Sequence, residues 1–151
     1  MPVTQTTTSI TGAAATVSVL VSAAYVDISG SSQSVDVVTA KVVTGDAYTF
    51  TGSYAITTIG KYSPVEVKVN ILYTETATEA FVYVKTLFEA GTATQVQWKP
   101  LGSASGADAI ETKATGYITS LDYPPIDASS AGPIMVSFTV RAPGITYTTN
   151  T

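Results

Sequence analysis

A strict two-residue alternation that runs straight into the only helical pattern constrains this chain more than any other feature. Between Lys61 and Tyr73, Val65, Val67, Val69 and Ile71 fall on one side, and Glu66, Lys68 and Asn70 on the other, until Leu72 breaks the pattern. Period two with one apolar and one polar side predicts a strand with one face buried and one wet. Pro64 is tolerable at its entry. From Thr76 to Ala90 the period changes, and Ala77, Ala80, Phe81, Val84, Leu87 and Phe88 recur at helical spacing. Thr76-Ala77-Thr78-Glu79 reads as a capping box with Thr76 as N-cap, and Gly91 stands where a left-handed C-terminal residue belongs. Lys85 and Glu89 face outward four residues apart. Burying Phe81, Leu87 and Phe88 is worth about 1.5–3 kcal/mol each. The helix is therefore expected to pack on a sheet through Phe81, Val84, Leu87 and Phe88.

The remaining pattern is β. Thr16 to Asp27 alternates weakly, and Gln33 to Val43 is rich in β-branched residues. With Gly30-Ser31-Ser32 between them as a turn, they are expected to pair as a hairpin. Thr44 to Gly60 carries three glycines with Tyr48, Phe50 and Tyr54 among Thr and Ser. It reads either as a short hairpin or as a projecting loop whose aromatics dock on a partner, since such side chains bury large area on few rotors. Thr94 to Lys99 is a short strand with Val96 and Trp98, Pro100 to Ala109 a Gly/Ser/Ala loop, and Lys113 to Tyr123 a strand closed by Pro124-Pro125. Ile134 to Val140 alternates again, and Pro143-Gly144 follows. Met1 to Thr11 is a polar arm, and Ile145 to Thr151 a polar, Thr-rich tail. The expectation is one domain of mainly β structure with one flanking helix.

Composition bears on what such a domain does. The chain of 151 residues has no Cys and no His, and 12% of it is charged, against about 25% in typical domains. Thiolate and imidazole chemistry, both as metal ligand and as general base, are thereby removed. Hydrophobic residues make up 45%, and the mean hydropathy is +0.28. A surface this poor in charge invites association, so self-association is favoured over a plain monomer. The seven basic residues are scattered under a net charge of −4, which weighs against sequence-specific nucleic-acid binding. Val17 to Val26 is too short to span a bilayer. The Thr-rich start lacks a basic signal-peptide region, so the protein is expected to fold where it is made.

No residue set reads as catalytic. Asp122 and Asp127 flank the Pro-Pro turn, where a turn-stabilising Asp and a cap account for them better than a glycosidase-like pair. Asp108 and Glu111, expected in a loop, lack EF-hand spacing. No phosphate-cradling GxxxxGK[ST] sequence occurs, and no Ser has a His or nearby Lys to activate it. Trp98 reads as core ahead of a ligand platform. No enzyme activity, cofactor or metal is expected.

The segments SPVEVKVNILYTETATEAF (63–81), VQWKP (96–100) and above all GYITSLDYPPIDASSAGPIMVSFTVRAPGIT (116–146), in that order, resemble the major tail tube proteins of long, non-contractile-tailed bacteriophages. The resemblance covers more than half of the chain. It implies a β-sandwich or partial barrel of antiparallel strands with one flanking helix, its strands pooled into an inner barrel within a hexameric ring. It implies stacked rings, a lumen through which double-stranded DNA leaves in transit, and a place in the virion after assembly in the host cytoplasm. Tape measure, tail terminator and tail tip proteins are its implied partners beside the chain itself. A water-filled β channel needs about 16 strands or more, so one chain of this size must share strands around a ring. Sharing also removes exposed sheet edges. Candidate lumen residues are the polar faces of two strands, Ser34 and Asp36 on one and Glu66, Lys68 and Asn70 on the other; ordinary outer surface is the alternative. Asp46, Tyr48, Phe50 and Tyr54 are the candidate stacking residues. Two other classes compete: an immunoglobulin-like adhesion or decoration domain, opposed by the helix and the missing Cys-Trp-Cys framework, and a small-ligand barrel, opposed by strands that look single-sided.

Overall fold

The computed structural model describes residues 10–150, and of the expected arm 1–11 only Ile10 and Thr11 lie within them. The alternating segment is strand β6 (Val65–Leu72), whose burial alternates as expected. It pairs antiparallel along its whole length with β10 (Met135–Ala142), from Met135 opposite Leu72 to Ala142 opposite Val65. β3 (Ser32–Val35) flanks β6, and β9 (Tyr117–Leu121) flanks β10, giving a four-stranded sheet in the order β3-β6-β10-β9. A second sheet of five strands runs β11-β8-β7-β1-β2, formed by Ile145–Thr149, Asp108–Thr112, Val96–Lys99, Thr16–Val21 and Ala24–Asp27 respectively. One core lies between the sheets. Val67, Val69, Ile71, Val136, Phe138 and Val140 of the first sheet pack with Val17, Val19 and Val96 of the second. The helix, α1 (Ala80–Ala90), closes one side against β9 and β6. The fold is mainly β with one flanking helix, as the pattern predicts, and its two packed sheets make it a sandwich, as the resemblance implies.

Several boundaries differ from the sequence reading. Thr16 to Asp27 is not one strand: the chain reverses at Ser22 and Ala23, both with positive φ (48° and 68°). The resulting hairpin is β1 against β2. Tight reversals of this kind usually carry Asn or Gly, and their absence hid the turn. The expected pairing of 16–27 with 33–43 does not form. Gly30 to Ser32 instead carries the chain from one sheet to the other, where β3 joins β6. The helix starts at Ala80 with Glu79 as N-cap and no side-chain capping bond, so Thr76 is not its cap. Residues 76–79 form a separate turn closed by the Glu79 N–H on the Thr76 carbonyl at 3.0 Å. The apolar stripe meets the sheets only from Ala80 onward, because Ala77 is exposed. Phe81, Val84 and Leu87 are buried, and Phe88 packs half-buried at the edge of the core. Gly91 is left-handed as predicted (φ 60°), and its N–H and that of Thr92 satisfy the Phe88 and Leu87 carbonyls.

Two segments expected as loop or tail are strands. Asp108 and Glu111 sit on β8, and Ile145–Thr149 is β11, paired to β8 in full register. Neither shows a clean apolar alternation: β8 buries the small Ala109 and Thr112 and leaves Ile110 half-buried, and β11, at the sheet edge, buries none of its side chains. Trp98 lies on β7 opposite Val17 and packs against the core.

Ala23 in a left-handed conformation costs about 1–2 kcal/mol, and its side chain is exposed. Ala23→Gly is expected to stabilise the fold by about 1 kcal/mol, raising the melting temperature by about 2–4 °C. A thermal melt that falls instead contradicts this turn geometry.

Candidate assembly surfaces

The five candidate lumen residues come together on the outer face of the four-stranded sheet. Pairing puts Ser34 opposite Asn70. The Asn70 side-chain amide donates to Ser34 Oγ at 2.7 Å and to Asp36 Oδ1 at 3.4 Å. The Asp36 N–H donates to the Lys68 carbonyl at 2.9 Å, continuing the β3 side of the sheet. Glu66 faces Arg141 across the β6–β10 ladder at 3.5 Å. Both side chains are more than half exposed, so the pair adds little stability. Lys68 stands opposite Thr139, which in turn stands opposite Ser120 on β9. Thr139, Arg141 and Ser120 therefore belong to the same face, although only the β6 and 34–36 side was singled out from the sequence. The alternation of Ile134 to Val140 carried that signal. The face is made of hydroxyls and an amide, with two carboxylates set against two cations.

The segment Thr44 to Gly60 is the outer part of a hairpin, β4 (Val42–Ala47) against β5 (Ile56–Tyr62), which forms a two-stranded sheet of its own. It is thus a hairpin and, at the same time, a projection: every residue from Val43 to Tyr62 is exposed. Asp46 acts within the hairpin, accepting a bond from Thr57 Oγ1 at 2.8 Å. Tyr48 and Tyr54 are 83% and 89% exposed and Phe50 fully so. Sequence reading did not single out Val43, Ile56, Ile59 and Tyr62, which add exposed apolar surface to the same hairpin. An isolated two-stranded hairpin is marginally stable in water, and a contiguous exposed apolar patch marks an interaction surface.

At the other end of β6 and β10 lies the segment 122–134. Ser137 Oγ donates to Asp122, which anchors its start. Asp127 Oδ1 accepts the Ser129 N–H at 2.9 Å and the Ser129 hydroxyl at 2.7 Å. Those bonds, the hydroxyl first, hold the Asp127 carboxyl below the usual carboxylate range. Asp27 is lowered in the same way by Ser29. On the outer face of the five-stranded sheet, the Tyr25 hydroxyl and the Gln97 amide both donate to Glu111 Oε2, at 2.9 and 3.1 Å. Burial, then the Glu111 bond, pushes the Tyr25 phenol up. Among the described residues no group of Asp and Glu is placed to hold a metal ion, and no helix is long and apolar enough to cross a membrane.

No protein-family model matches the chain, and no curated protein matches it in sequence. Solved structures do match in shape. The chain is similar to the tube terminating cap of the anti-feeding prophage, at TM-score 0.72 and 13% identity, covering 98% of this chain and 96% of that one. It is similar to the sheath/tube terminator of PVC, an extracellular contractile injection system, at TM-score 0.70 and 14% identity, covering 93% and 97%. It also matches a chain in the tail of an empty GTA particle, refined with C6 symmetry, at TM-score 0.66 and 12% identity, covering 95% and 100%. Over nearly its whole length the chain has the fold of these tail components. The likeness reaches contractile systems, so it does not single out the non-contractile tails of the sequence resemblance.

The lowered Asp127 value has a direct test. A carboxyl whose folded value is depressed contributes stability above its unfolded pKa, and that contribution is lost as the pH falls through the folded value. Ser129→Ala is expected to raise the Asp127 pKa towards the ordinary carboxylate value in an NMR titration, with the melting temperature at pH 7 barely changed. An Asp127 that titrates as before would show that the Ser129 hydroxyl is not what holds it down.

Proposed function

We propose that this chain is a structural subunit of a phage-type tail tube, built from copies that join side by side into rings and end to end into a stack. The observation that carries the proposal is the free apolar hairpin on a sandwich with the fold of tube and terminator components. A monomer gains nothing from holding Tyr48, Phe50 and Tyr54 in water, whereas a stack buries them at each ring-to-ring contact. Side-by-side joining would use the free edges of the four-stranded sheet, β3 and β9. Six copies of that sheet, in a hexameric ring, exceed the roughly 16 strands at which a barrel holds a water-filled channel. Its polar face would then line the lumen with Ser34, Asp36, Glu66, Lys68 and Asn70. Balanced and hydroxyl-rich, such a wall offers double-stranded DNA no run of cations to bind, and screening over a Debye length of about 8 Å keeps its charges short-ranged. The tape measure, tail terminator and tail tip proteins are its partners on this reading, and its place is the virion. The chemistry is passive, with no catalytic step.

A second reading has a specific support. Two of the similar structures are a terminating cap and a terminator, so this chain can instead be the subunit that ends a tube. Negative-stain electron microscopy of the purified protein at rising concentration separates the two. A tube subunit is expected to give hollow tubes or stacked rings with a central hole. A cap is expected to give single rings that do not stack, and dispersed monomers at every concentration speak for the adhesion-domain class.

The double variant Tyr48→Ala/Phe50→Ala changes only exposed side chains. It is expected to leave the far-UV circular dichroism and melting temperature unchanged while abolishing stacking. Tubes of normal length from it would remove the hairpin from the interface. Asp36→Lys/Glu66→Lys makes the polar face wholly cationic. Tubes of this variant are expected to retain added DNA at low salt and release it as salt is raised, and tubes that ignore DNA would place that face outside the lumen.

A further inference from the structure

Four strand ends meet at one end of the five-stranded sheet. The antiparallel order β11-β8-β7-β1 brings the end of β11, the start of β8, the end of β7 and the start of β1 side by side. The loop 100–107 joins β7 to β8 across this end, and a short 3-10 turn, Gly12–Ala14, leads into β1. Asn150 closes the group. Its N–H donates to the Ala107 carbonyl at 2.9 Å, and its carbonyl accepts the Gly106 N–H at 2.9 Å. Its side-chain amide reaches further into the loop, donating to the Gly102 carbonyl at 3.1 Å and to the Ala104 carbonyl at 3.5 Å. Gly102 is buried and left-handed (φ 63°), and a Cβ there would stand 2.6 Å from the Ala14 carbonyl oxygen. The loop backbone therefore packs directly on the Gly12–Ala14 turn, and one asparagine is tied through one glycine to the entry of β1.

Burial contributes little to holding these pieces. β11 is an edge strand with no buried side chain. The Gly12–Ala14 turn buries no residue, and within the loop only Gly102 and Ala107 are buried. Val67, Val69, Phe138 and Val140 of β6 and β10, by contrast, are fully buried. Segments with few buried apolar contacts open locally at a lower free energy than the core does. An amide that donates into the loop backbone is then a large share of what keeps it closed. The same turn walls an open cleft of about 460 Å³, lined by Gly12 and Ala15 together with Ser34 and Val35 of β3 and by Trp98.

We propose that Asn150 is a latch, and that β11, the loop 100–107 and the Gly12–Ala14 turn open and close as one unit while the β6–β10 ladder stays paired. Opening withdraws one wall of the cleft and widens access to the free edge of β3. The latch belongs to the single chain and is independent of the stacking role proposed above.

Asn150→Ala and the near-isosteric Asn150→Asp both remove the amide donor. Either is expected to speed hydrogen exchange of the Ala15, Gly102 and Gly106 N–H groups and of β11 together, by about two- to tenfold, and to leave β6 and β10 unchanged. Trp98, the only tryptophan of the chain, reports on the cleft without a label, and acrylamide quenching of its fluorescence is expected to rise in both variants. Faster exchange confined to Gly106 would overturn the coupled unit, and equal acceleration in β6 and β10 would overturn its independence from the ladder. Coupled exchange with unchanged quenching would overturn the widening of the cleft, and no change in either would show that Asn150 is not the latch. Should neither variant fold, the unaltered protein decides. In low denaturant β11 and the loop 100–107 are expected to share one opening free energy below that of β6 and β10, and one value common to all four would overturn the proposal.

Discussion

The ladder between β6 and β10 is the constraint on which the other elements depend. Eight residues of each strand pair without a break, and their inward side chains include Val67, Val69, Phe138 and Val140, all fully buried. A one-residue slip would turn one strand's apolar row outward and bring either Glu66 and Lys68 or Arg141 into the core, so the register is specified many times over. That register fixes the chemistry of the outer face, because whatever is not needed inside must point out. It also fixes where the hairpin leaves the fold and where the 122–134 segment returns, since these are the two ends of the same pair. The helix then has one open side to close, and its stripe of Ala80, Phe81, Val84 and Leu87 closes it against β9 and β6.

The molecule manages its apolar surface unevenly. Between the sheets it packs side chains with no buried polar side-chain atom left unpaired among the described residues, while the hairpin leaves large aromatics in water. Buried Thr94 and Thr112 show the care taken inside: Thr94 Oγ1 donates to the Leu20 carbonyl at 2.8 Å, and Thr112 Oγ1 accepts the Val96 N–H at 3.0 Å. A chain able to satisfy its interior to this degree has no folding need for an exposed Phe50. The contrast is what points from fold to association.

How much of this was legible in the sequence follows the strength of each local signal. β6, β10 and the helix stripe were legible because burial on one side only writes a period into the residues. Gly91 was legible because a left-handed residue at a helix end has few alternatives. The β1–β2 turn was not, because Ser22 and Ala23 take positive φ without the glycine that announces it. β8 and β11 were not, because β8 turns the small Ala109 and Thr112 inward in place of large apolar residues, and β11, at the sheet edge, buries none of its side chains. The helix start was displaced by a capping box whose first turn has no core to bury against. Tyr48, Phe50 and Tyr54 were legible as aromatics out of place among Thr and Ser. The form of the 122–134 segment was not, since its two ends are brought together only by the pairing of β9 with β10.

The placement of the hairpin at one end of the sheet alone has a consequence for growth. In the stack proposed above, such copies form a polar filament, with free hairpins at one extremity and the opposite end of the four-stranded sheet at the other. The two extremities have different chemistry and, in general, different rates of addition. A protein that starts the proposed stack and one that stops it would therefore meet different surfaces of this chain.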